Sequence, residues 1–170
     1  MKLFALSDPH LSFGTPVSVI RPFNTYGPRQ SARAVIPAIV GQLLDGAETL
    51  RLGSLTPRRD LTYVVDTARA FVALATCAGA AGREVHVASG ADVSIGELAA
   101  ALVARVAPGT PVVTDEARLR PERAEVQRLC GDATRLRELT GWTPRWDLAR
   151  GLDATVAWFR EHRTRAGYQV

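Results

Sequence analysis

The chain has 170 residues, a length typical of a single domain with a sizeable core. Its apolar content of 46% and net charge of +4 fit a globular protein, and its 21 basic residues are interleaved with acidic and apolar ones, which argues against nucleic-acid binding. No apolar run reaches the roughly 18 residues needed to span a bilayer, and no apolar signal-peptide core follows the N-terminus, so we expect a cytoplasmic protein.

The first third of the chain predicts strands that alternate with a helix. The β-branched run at residues 17–20 is typical of a buried parallel strand. Residues 21–30 are predicted to be a loop leaving that strand, at the edge where ligands bind in open α/β sheets. Residues 32–44 have helical spacing, and Pro37 is expected to kink this helix or end its first part. A short strand is predicted at residues 49–52.

The middle of the chain continues this alternation. Residues 56–60 are predicted to form a turn and residues 61–65 a strand. Asp66 is then expected to cap a helix over residues 67–77. Another strand is predicted at residues 85–88.

The last part of the chain predicts three helices around one strand. Ser94 and Glu97 have the spacing of a capping box and predict a helix over residues 95–106. A short strand is expected at residues 112–114, Asp132 is expected to cap a helix that ends before Gly141, and a final helix is predicted over residues 148–163. Alternating strands and helices predict an α/β fold.

Two cysteines, Cys77 and Cys130, lie far apart in the sequence and form no CxxC pair. This spacing is typical of buried, reduced thiols in a reducing compartment.

The loop at residues 21–30 reads RPFNTYGPRQ and is rich in recognition groups. Arg21 and Arg29 supply forked guanidinium donors suited to phosphate, and Asn24 supplies both a donor and an acceptor. The loop therefore predicts a site for a nucleotide or a phosphorylated sugar.

The longer segment RPFNTYGPRQSARAVIP resembles the one that follows the catalytic strands of the extended short-chain dehydrogenase/reductases, which include the NAD-dependent nucleotide-sugar epimerases and 4,6-dehydratases. It is most similar to the UDP-N-acetylhexosamine 4,6-dehydratase branch. Later motifs follow in the family's order: RLGS at Arg51, RRDLTYVVDTARAF at Arg58, VASG at Val87, VSIGEL at Val93, RP at Arg120 and GWTP at Gly141.

The resemblance extends from about residue 17 to about residue 163 and covers only the C-terminal part of the family's fold. It implies a partial Rossmann-like sheet joined to the small α/β region that binds substrate. NAD is the cofactor of the intact family and a nucleotide-sugar, a UDP-sugar by preference, is its substrate. By the resemblance, Pro22 and Phe23 would approach the nicotinamide through their backbone, although Phe23 could equally be a core side chain at a strand end.

The resemblance also implies a set of substrate contacts. Asn24 would hydrogen-bond the nucleotide-sugar, and Arg59 and Arg120 would hold its diphosphate from opposite sides. Tyr26 and Arg29 are candidates for the sugar or base pocket. Structural alternatives stay open for each contact. Asn24 could be an ordinary turn residue, and Arg59 could form an ion pair with its neighbour Asp60 or be a solvated surface residue. Arg120 has similar alternatives and is flanked by Arg118 and Arg123.

Two elements that the family needs for hydride transfer do not occur in these 170 residues. There is no GxxGxxG turn for the dinucleotide, and YxxxK cannot occur because the single lysine, Lys2, precedes every tyrosine. We therefore expect a truncated chain that does not catalyse the reaction alone and does not bind NAD well alone. The alternative is a non-catalytic nucleotide-sugar binding module. Either would expose a strand edge, so we expect self-association or a partner chain that supplies the N-terminal half.

Residues 1–14, MKLFALSDPHLSFG, do not match the dehydratase pattern. Asp8 and His10 resemble the first metal ligands of calcineurin-like metallophosphoesterases, but a dinuclear site needs several further ligands and the chain has only three histidines. We expect this segment to be a foreign leader or a gene-calling artefact, joined to the nucleotide-sugar portion at residues 15–170. A metal-dependent phosphoesterase is the disfavoured alternative, and no metal ligands are assigned.

Overall fold

The computed structural model describes residues 17–118 and 125–162. Within these ranges the strands are β1 (Val19–Pro22), β2 (Asn24–Tyr26), β3 (Leu50–Leu52), β4 (Arg58–Tyr63), β5 (Glu84–Val87), β6 (Asp92–Ser94), β7 (Val112–Thr114) and β8 (Arg128–Leu129). The helices are α1 (Val35–Leu44), α2 (Val64–Thr76), α3 (Ile95–Val106), α4 (Thr134–Thr140) and α5 (Leu148–His162).

Parallel pairing joins strands that are distant in the sequence. β1 pairs with β5, so that Ile20 lies opposite Val85. β3 pairs with β7. Parallel strands need a long crossover between them, and helices α1, α2 and α3 lie in these crossovers, as the α/β prediction requires.

β4 is the centre of the remaining sheet. Its second half pairs with β2 in parallel, while its first half pairs with β6 antiparallel on one side and with β8 in parallel on the other. Residues from four separate parts of the chain therefore meet along this one strand.

Two apolar clusters support these sheets. The larger packs helices α1, α3 and α5 against β2, β3 and β4, with Ile39, Leu98 and Leu152 almost fully buried. The smaller packs α2 and α4 against one face of β1 and β5, around Leu74 and Leu136.

The prediction that Pro37 kinks its helix or ends the first part of it is wrong. Helix α1 begins at Val35, not at residue 32, so Pro37 lies in the first turn. A first-turn nitrogen has no intrahelical partner, and proline therefore costs nothing there. The helix continues unbroken to Leu44.

The predicted turn at residues 56–60 is also wrong. Arg58, Arg59 and Asp60 belong to β4, which ends at Tyr63, two residues earlier than predicted. Three polar residues in a row suggested a turn, but they are accommodated because β6 and β8 pair with them on both sides. The loop predicted at residues 21–30 likewise contains the end of β1 and the whole of β2.

Asp66 does not cap helix α2, because the helix begins at Val64 and places Asp66 in its first turn. Its fully buried carboxylate instead accepts hydrogen bonds from the backbone N–H groups of Arg145 and Trp146, both at 2.8 Å, and from the Arg69 guanidinium. Asp66 therefore fastens the segment before α5 to the start of α2.

Other predictions are confirmed. The capping box of Ser94 and Glu97 is formed at the start of α3, and Gly141 ends α4 with a left-handed φ of 70°. The prediction that Asp132 caps α4 is wrong, because the residue at the cap position is Ala133. Asp132 lies just before it and accepts a hydrogen bond from the backbone N–H of Thr134.

The expectation of two buried thiols is wrong, because Cys77 is only partly buried. Cys77 and Cys130 are both free, but Cys130 is exposed, because it follows β8 at the surface. Across residues 17–118 and 125–162, no helix has the length and apolar character needed to cross a membrane. The same residues contain no cluster of three or more acidic, histidine or cysteine side chains that could hold a metal ion, and Asp8 and His10 lie outside them.

Candidate functional site

A cleft of about 380 Å³ opens between β2, the start of α1, the end of β3, and β4. Its apolar lining residues include Ile36, Leu52 and Leu61, which are together called the apolar floor. Its polar lining residues are Asn24, Gln30, Arg33, Ser54, Arg59, Arg118 and Glu125. An apolar floor with a few convergent polar groups is the usual character of a ligand site.

Asn24 lies on β2, next to β4 in the parallel sheet. Its side-chain nitrogen donates a hydrogen bond of 3.0 Å to the backbone carbonyl of Asp60. The amide is thereby oriented by the sheet, while its side-chain oxygen accepts no hydrogen bond from the described residues and can accept one from a ligand.

Arg59 enters the cleft from β4 and is held by three acceptors. Its Nη1 donates to the carbonyl oxygens of Arg58 at 2.9 Å and Val126 at 2.6 Å, and its Nη2 donates to Glu125 at 2.8 Å. The alternative of an ion pair between Arg59 and Asp60 is wrong, because neighbouring residues of a strand point to opposite faces.

The Asp60 carboxylate is instead fully buried behind the strand. It accepts hydrogen bonds from the backbone N–H groups of Ser89 at 2.8 Å, Gly90 at 2.9 Å and Gly131 at 3.2 Å, and from the Ser89 hydroxyl at 2.7 Å. Asp60 therefore ties β4 to the loops that follow β5 and β8, and it fixes the strand that presents Arg59.

Two arginines of the cleft were not among the site residues predicted from the sequence. Arg33 precedes α1, and its guanidinium makes no hydrogen bond or ion pair within the described part of the chain. Arg118 forms an ion pair with Asp115 at 3.3 Å. A basic residue just before a helix start was a signal for Arg33, and the position of Arg118 beside the predicted Arg120 was a signal for Arg118.

The start of helix α1 also opens into this cleft, because Ala34, Val35 and Ile36 line it. Ala34 occupies the cap position without a side-chain hydrogen bond, and the first turn has no acidic residue. First-turn N–H groups of a helix carry partial positive charge and are available to an anion when no cap satisfies them.

Tyr26 contributes its ring to the wall of the cleft. The side chain is buried, and its hydroxyl donates to the carbonyl of Leu148 at 3.4 Å. Burial, and then the neighbouring Tyr63, raise the pKa of Tyr26 well above its usual value, so it stays protonated at neutral pH. The hydroxyl is used within the fold and is not directed at a ligand.

The other sequence candidates lie apart from the cleft or outside the described residues. Arg29 adopts a left-handed φ of 64° in the turn after β2 and is not among the residues lining the cleft. Pro22 and Phe23 lie at the carboxyl end of β1, where the Phe23 N–H donates to the carbonyl of Val87 at 2.9 Å. Arg120 lies outside the described residues, between the cleft residues Arg118 and Glu125 in sequence.

The model of the family described as GDP-mannose 4,6 dehydratase matches residues 5–155. The chain belongs to this family.

Members of the family with related sequences include enzymes of two kinds. The dTDP-glucose 4,6-dehydratase of Streptomyces griseus is 37% identical over 162 residues, which are 95% of this chain and 48% of that protein. The UDP-glucose 4-epimerase of Mycolicibacterium smegmatis is 38% identical over 147 residues, which are 84% of this chain and 45% of that protein. The chain thus spans about half the length of the curated relatives it matches.

Solved structures confirm the fold class. RMD from Pseudomonas aeruginosa, complexed with NADPH, superposes with a TM-score of 0.81 at 30% identity, covering 89% of this chain and 51% of that one. The UDP-glucose 4-epimerase of Thermotoga maritima, solved with UDP-glucose, gives a TM-score of 0.80 at 25% identity, covering 91% of this chain and 50% of that one. The chain is therefore a partial α/β fold of the Rossmann-like epimerase and dehydratase type.

Proposed function

We propose that the cleft binds the diphosphate of a nucleotide-sugar, and that the chain is the substrate-binding portion of an NAD-dependent epimerase or 4,6-dehydratase. The observation that carries the proposal is the convergence of Asn24, Arg33, Arg59 and Arg118 on one cleft with the uncapped start of α1. These residues come from distant parts of the chain, so their shared position is a property of the fold.

The charge of the cleft suits a diphosphate. Guanidinium groups donate forked, charge-assisted hydrogen bonds to phosphate oxygens, each worth about 1.5–3 kcal/mol before the costs of desolvation and ordering. A free helix N-terminus adds further donors and a favourable dipole. The apolar floor formed by Ile36, Leu52 and Leu61 would take the less polar faces of the base or sugar.

The nature of the relatives supports a nucleotide-sugar ligand. The Streptomyces griseus relative is named for dTDP-glucose, and the Thermotoga maritima structure contains UDP-glucose. We propose a pyrimidine nucleotide-sugar as the ligand class of this cleft, with a UDP-sugar as the first ligand to test.

In the intact enzymes of the family, NAD would be the cofactor for hydride transfer. Pro22 ends β1 and Phe23 follows it, at the sheet edge where cofactors bind in such folds, and we propose them as nicotinamide-side positions. The 170 residues hold neither GxxGxxG nor YxxxK, so we propose that this chain alone binds the nucleotide-sugar without catalysing its oxidation.

Titration calorimetry with UDP, UDP-N-acetylglucosamine and dTDP-glucose tests the binding proposal. We expect saturable heat, and a loss of affinity of roughly tenfold or more in Arg59→Ala. Arg21→Ala is the matched control, because Arg21 pairs with Glu84 at 2.7 Å outside the cleft and its loss changes the net charge equally. Absence of saturable heat with every ligand would remove the proposal.

The catalytic part of the proposal has its own assay. The chain is incubated with NAD and each nucleotide-sugar, and the 4-keto product and NADH are measured. We expect neither to form. Turnover by the 170-residue chain would contradict the claim that it is catalytically incomplete.

We also propose a protein partner on the exposed side of α2. Val65 and Val72 are 42% and 64% exposed there, and among the described strands β1 pairs with β5 alone. The relatives are about twice as long as this chain, so the partner we favour is a polypeptide equivalent to their remaining half. This partner is tested by sedimentation of the chain alone and mixed with the N-terminal half of the Streptomyces griseus relative, for wild type and Val72→Glu. The measurement distinguishes a complex of the two polypeptides from self-association of this chain and from the absence of any association.

A further inference from the structure

Glu125 is the one carboxylate among the described residues that line the cleft, and it shares the cleft with Arg33, Arg59 and Arg118. A carboxylate repels a diphosphate, so its presence in the proposed site requires a specific reason. Its contact with Arg59 at 2.8 Å supplies one.

The guanidinium of Arg59 is held at both of its terminal nitrogens. The carbonyls of Arg58 and Val126 both accept from Nη1, whereas Glu125 accepts from Nη2. The two acceptors on Nη1 hold one end of the guanidinium group. The third acceptor, on Nη2, holds the other end and restricts the rotation of the group. The pair is largely shielded from water, since the Arg59 and Glu125 side chains are only 17% and 15% exposed.

Part of the fork stays available in this arrangement. A guanidinium has five N–H donors in a fixed geometry, and the three acceptors account for three of them. The Nε–H and one Nη2 proton of Arg59 therefore remain for a phosphate oxygen.

We infer that Glu125 is a positioning residue, which orients the Arg59 fork for the phosphate before the ligand arrives. This inference rests on the proposed function of the cleft. A long arginine side chain loses rotational freedom when it binds a ligand, and a fork that is already ordered avoids that loss. The gain in preorganisation outweighs the repulsion between Glu125 and the ligand.

Two variants of Glu125 separate this role from others. In Glu125→Gln the amide oxygen still accepts from Arg59 Nη2, so we expect most of the affinity for UDP to be kept. In Glu125→Ala the acceptor is lost, and we expect affinity to fall roughly tenfold. Calorimetry with UDP on the full 170-residue chain measures both.

The decisive measurement repeats Glu125→Ala in an Arg59→Ala background. A residue that acts favourably only through Arg59 has no favourable effect left there, so we expect the double variant to bind UDP no more weakly than Arg59→Ala alone. If Glu125→Ala lowers the affinity for UDP in that background by the same factor as in wild type, Glu125 contacts the ligand itself and the inference is overturned. Tighter binding by Glu125→Ala would overturn it too, because Glu125 would then be a competing anion.

Controls keep the outcomes distinct. Glu84→Ala removes a carboxylate from the Arg21 pair, away from the cleft, and should leave UDP binding unchanged. If Glu125→Ala does not fold by circular dichroism, Glu125→Asp replaces it in both backgrounds with the same expected losses, because the shorter side chain cannot reach Nη2. The proposed function fails if wild type binds none of UDP, UDP-N-acetylglucosamine and dTDP-glucose, or if Arg59→Ala binds normally. If only the inference fails, wild type still binds and Arg59→Ala still binds more weakly.

Discussion

The Asn24 side chain and the Asp60 backbone are joined by a 3.0 Å hydrogen bond across the parallel strands β2 and β4. This bond orients the Asn24 amide in the cleft that Arg59, the residue before Asp60, also lines. One short stretch of sheet therefore sets the relative position of two groups proposed to bind the same ligand.

Replacing Asn24 tests this relationship. In Asn24→Asp a carboxylate faces the Asp60 carbonyl without a proton to donate, and it adds negative charge beside the proposed diphosphate. We expect UDP affinity to fall more than tenfold and the free energy of unfolding to fall by about 1 kcal/mol. Asn24→Ala, which removes the amide without adding charge, should lose less affinity. Equal affinity for the two variants, measured by calorimetry, would contradict a phosphate next to Asn24.

Two helix glycines should respond in opposite ways to alanine. A Cβ on Gly151 of α5 would overlap the Tyr26 hydroxyl, and Tyr26 is itself buried. Gly41 of α1 has nothing within 4 Å of the same position. We expect Gly151→Ala to lower the free energy of unfolding by about 1–3 kcal/mol through overpacking, and Gly41→Ala to raise it by about 0.5–1 kcal/mol. Urea denaturation measures both, and stabilisation by Gly151→Ala would show that α5 can move away from the sheet.

The buried carboxylate of Asp66 should be among the costly positions of the fold. Asp66→Asn places an amide nitrogen or a weaker acceptor against the N–H groups of Arg145 and Trp146 and removes the charge that Arg69 faces. We expect a loss of about 2–4 kcal/mol in unfolding free energy. The control is Asp153→Asn, since Asp153 is 65% exposed in its pair with Arg105 and should cost less than about 1 kcal/mol. Similar losses for the two variants would mean that the link between α2 and α5 is weak.

The capping box gives a prediction for pH. Hydrogen bonds from the Ser94 backbone N–H and hydroxyl, followed by the nearby Arg58, lower the pKa of Glu97. A carboxyl whose pKa is lower in the folded state stabilises the fold above its unfolded pKa, and that contribution is lost as the pH falls through its folded pKa. We therefore expect Glu97→Gln to be less stable than wild type at pH 7, with the difference shrinking towards pH 3.

Urea denaturation at several pH values measures this difference. Ser94→Ala, which removes the other half of the capping box, should cost about 1 kcal/mol at pH 7. A Glu97→Gln difference that stayed constant between pH 7 and pH 3 would exclude the lowered pKa as its cause.

Local signals predicted those parts of the fold that local chemistry controls. The S-x-x-E spacing of Ser94 and Glu97 placed the start of α3 correctly, because a capping box satisfies the backbone donors of its own first turn. Gly141 correctly marked the end of α4, because a left-handed residue is needed there. The same reasoning failed for Arg58, Arg59 and Asp60, whose polar character suggested a turn while pairing with β6 and β8 made them a strand.

The sequence by itself determined the alternation of strands and helices, the family, and three residues of the cleft, Asn24, Tyr26 and Arg59, since apolar periodicity and short motifs are local properties of the chain. Only the tertiary structure decided that Arg33, Arg118 and Glu125 join them, and that Arg59 pairs with Glu125 and not with Asp60. The reason is physical: strand pairing and helix packing bring together residues up to 101 positions apart, from Asn24 to Glu125, and no spacing within a motif encodes that proximity.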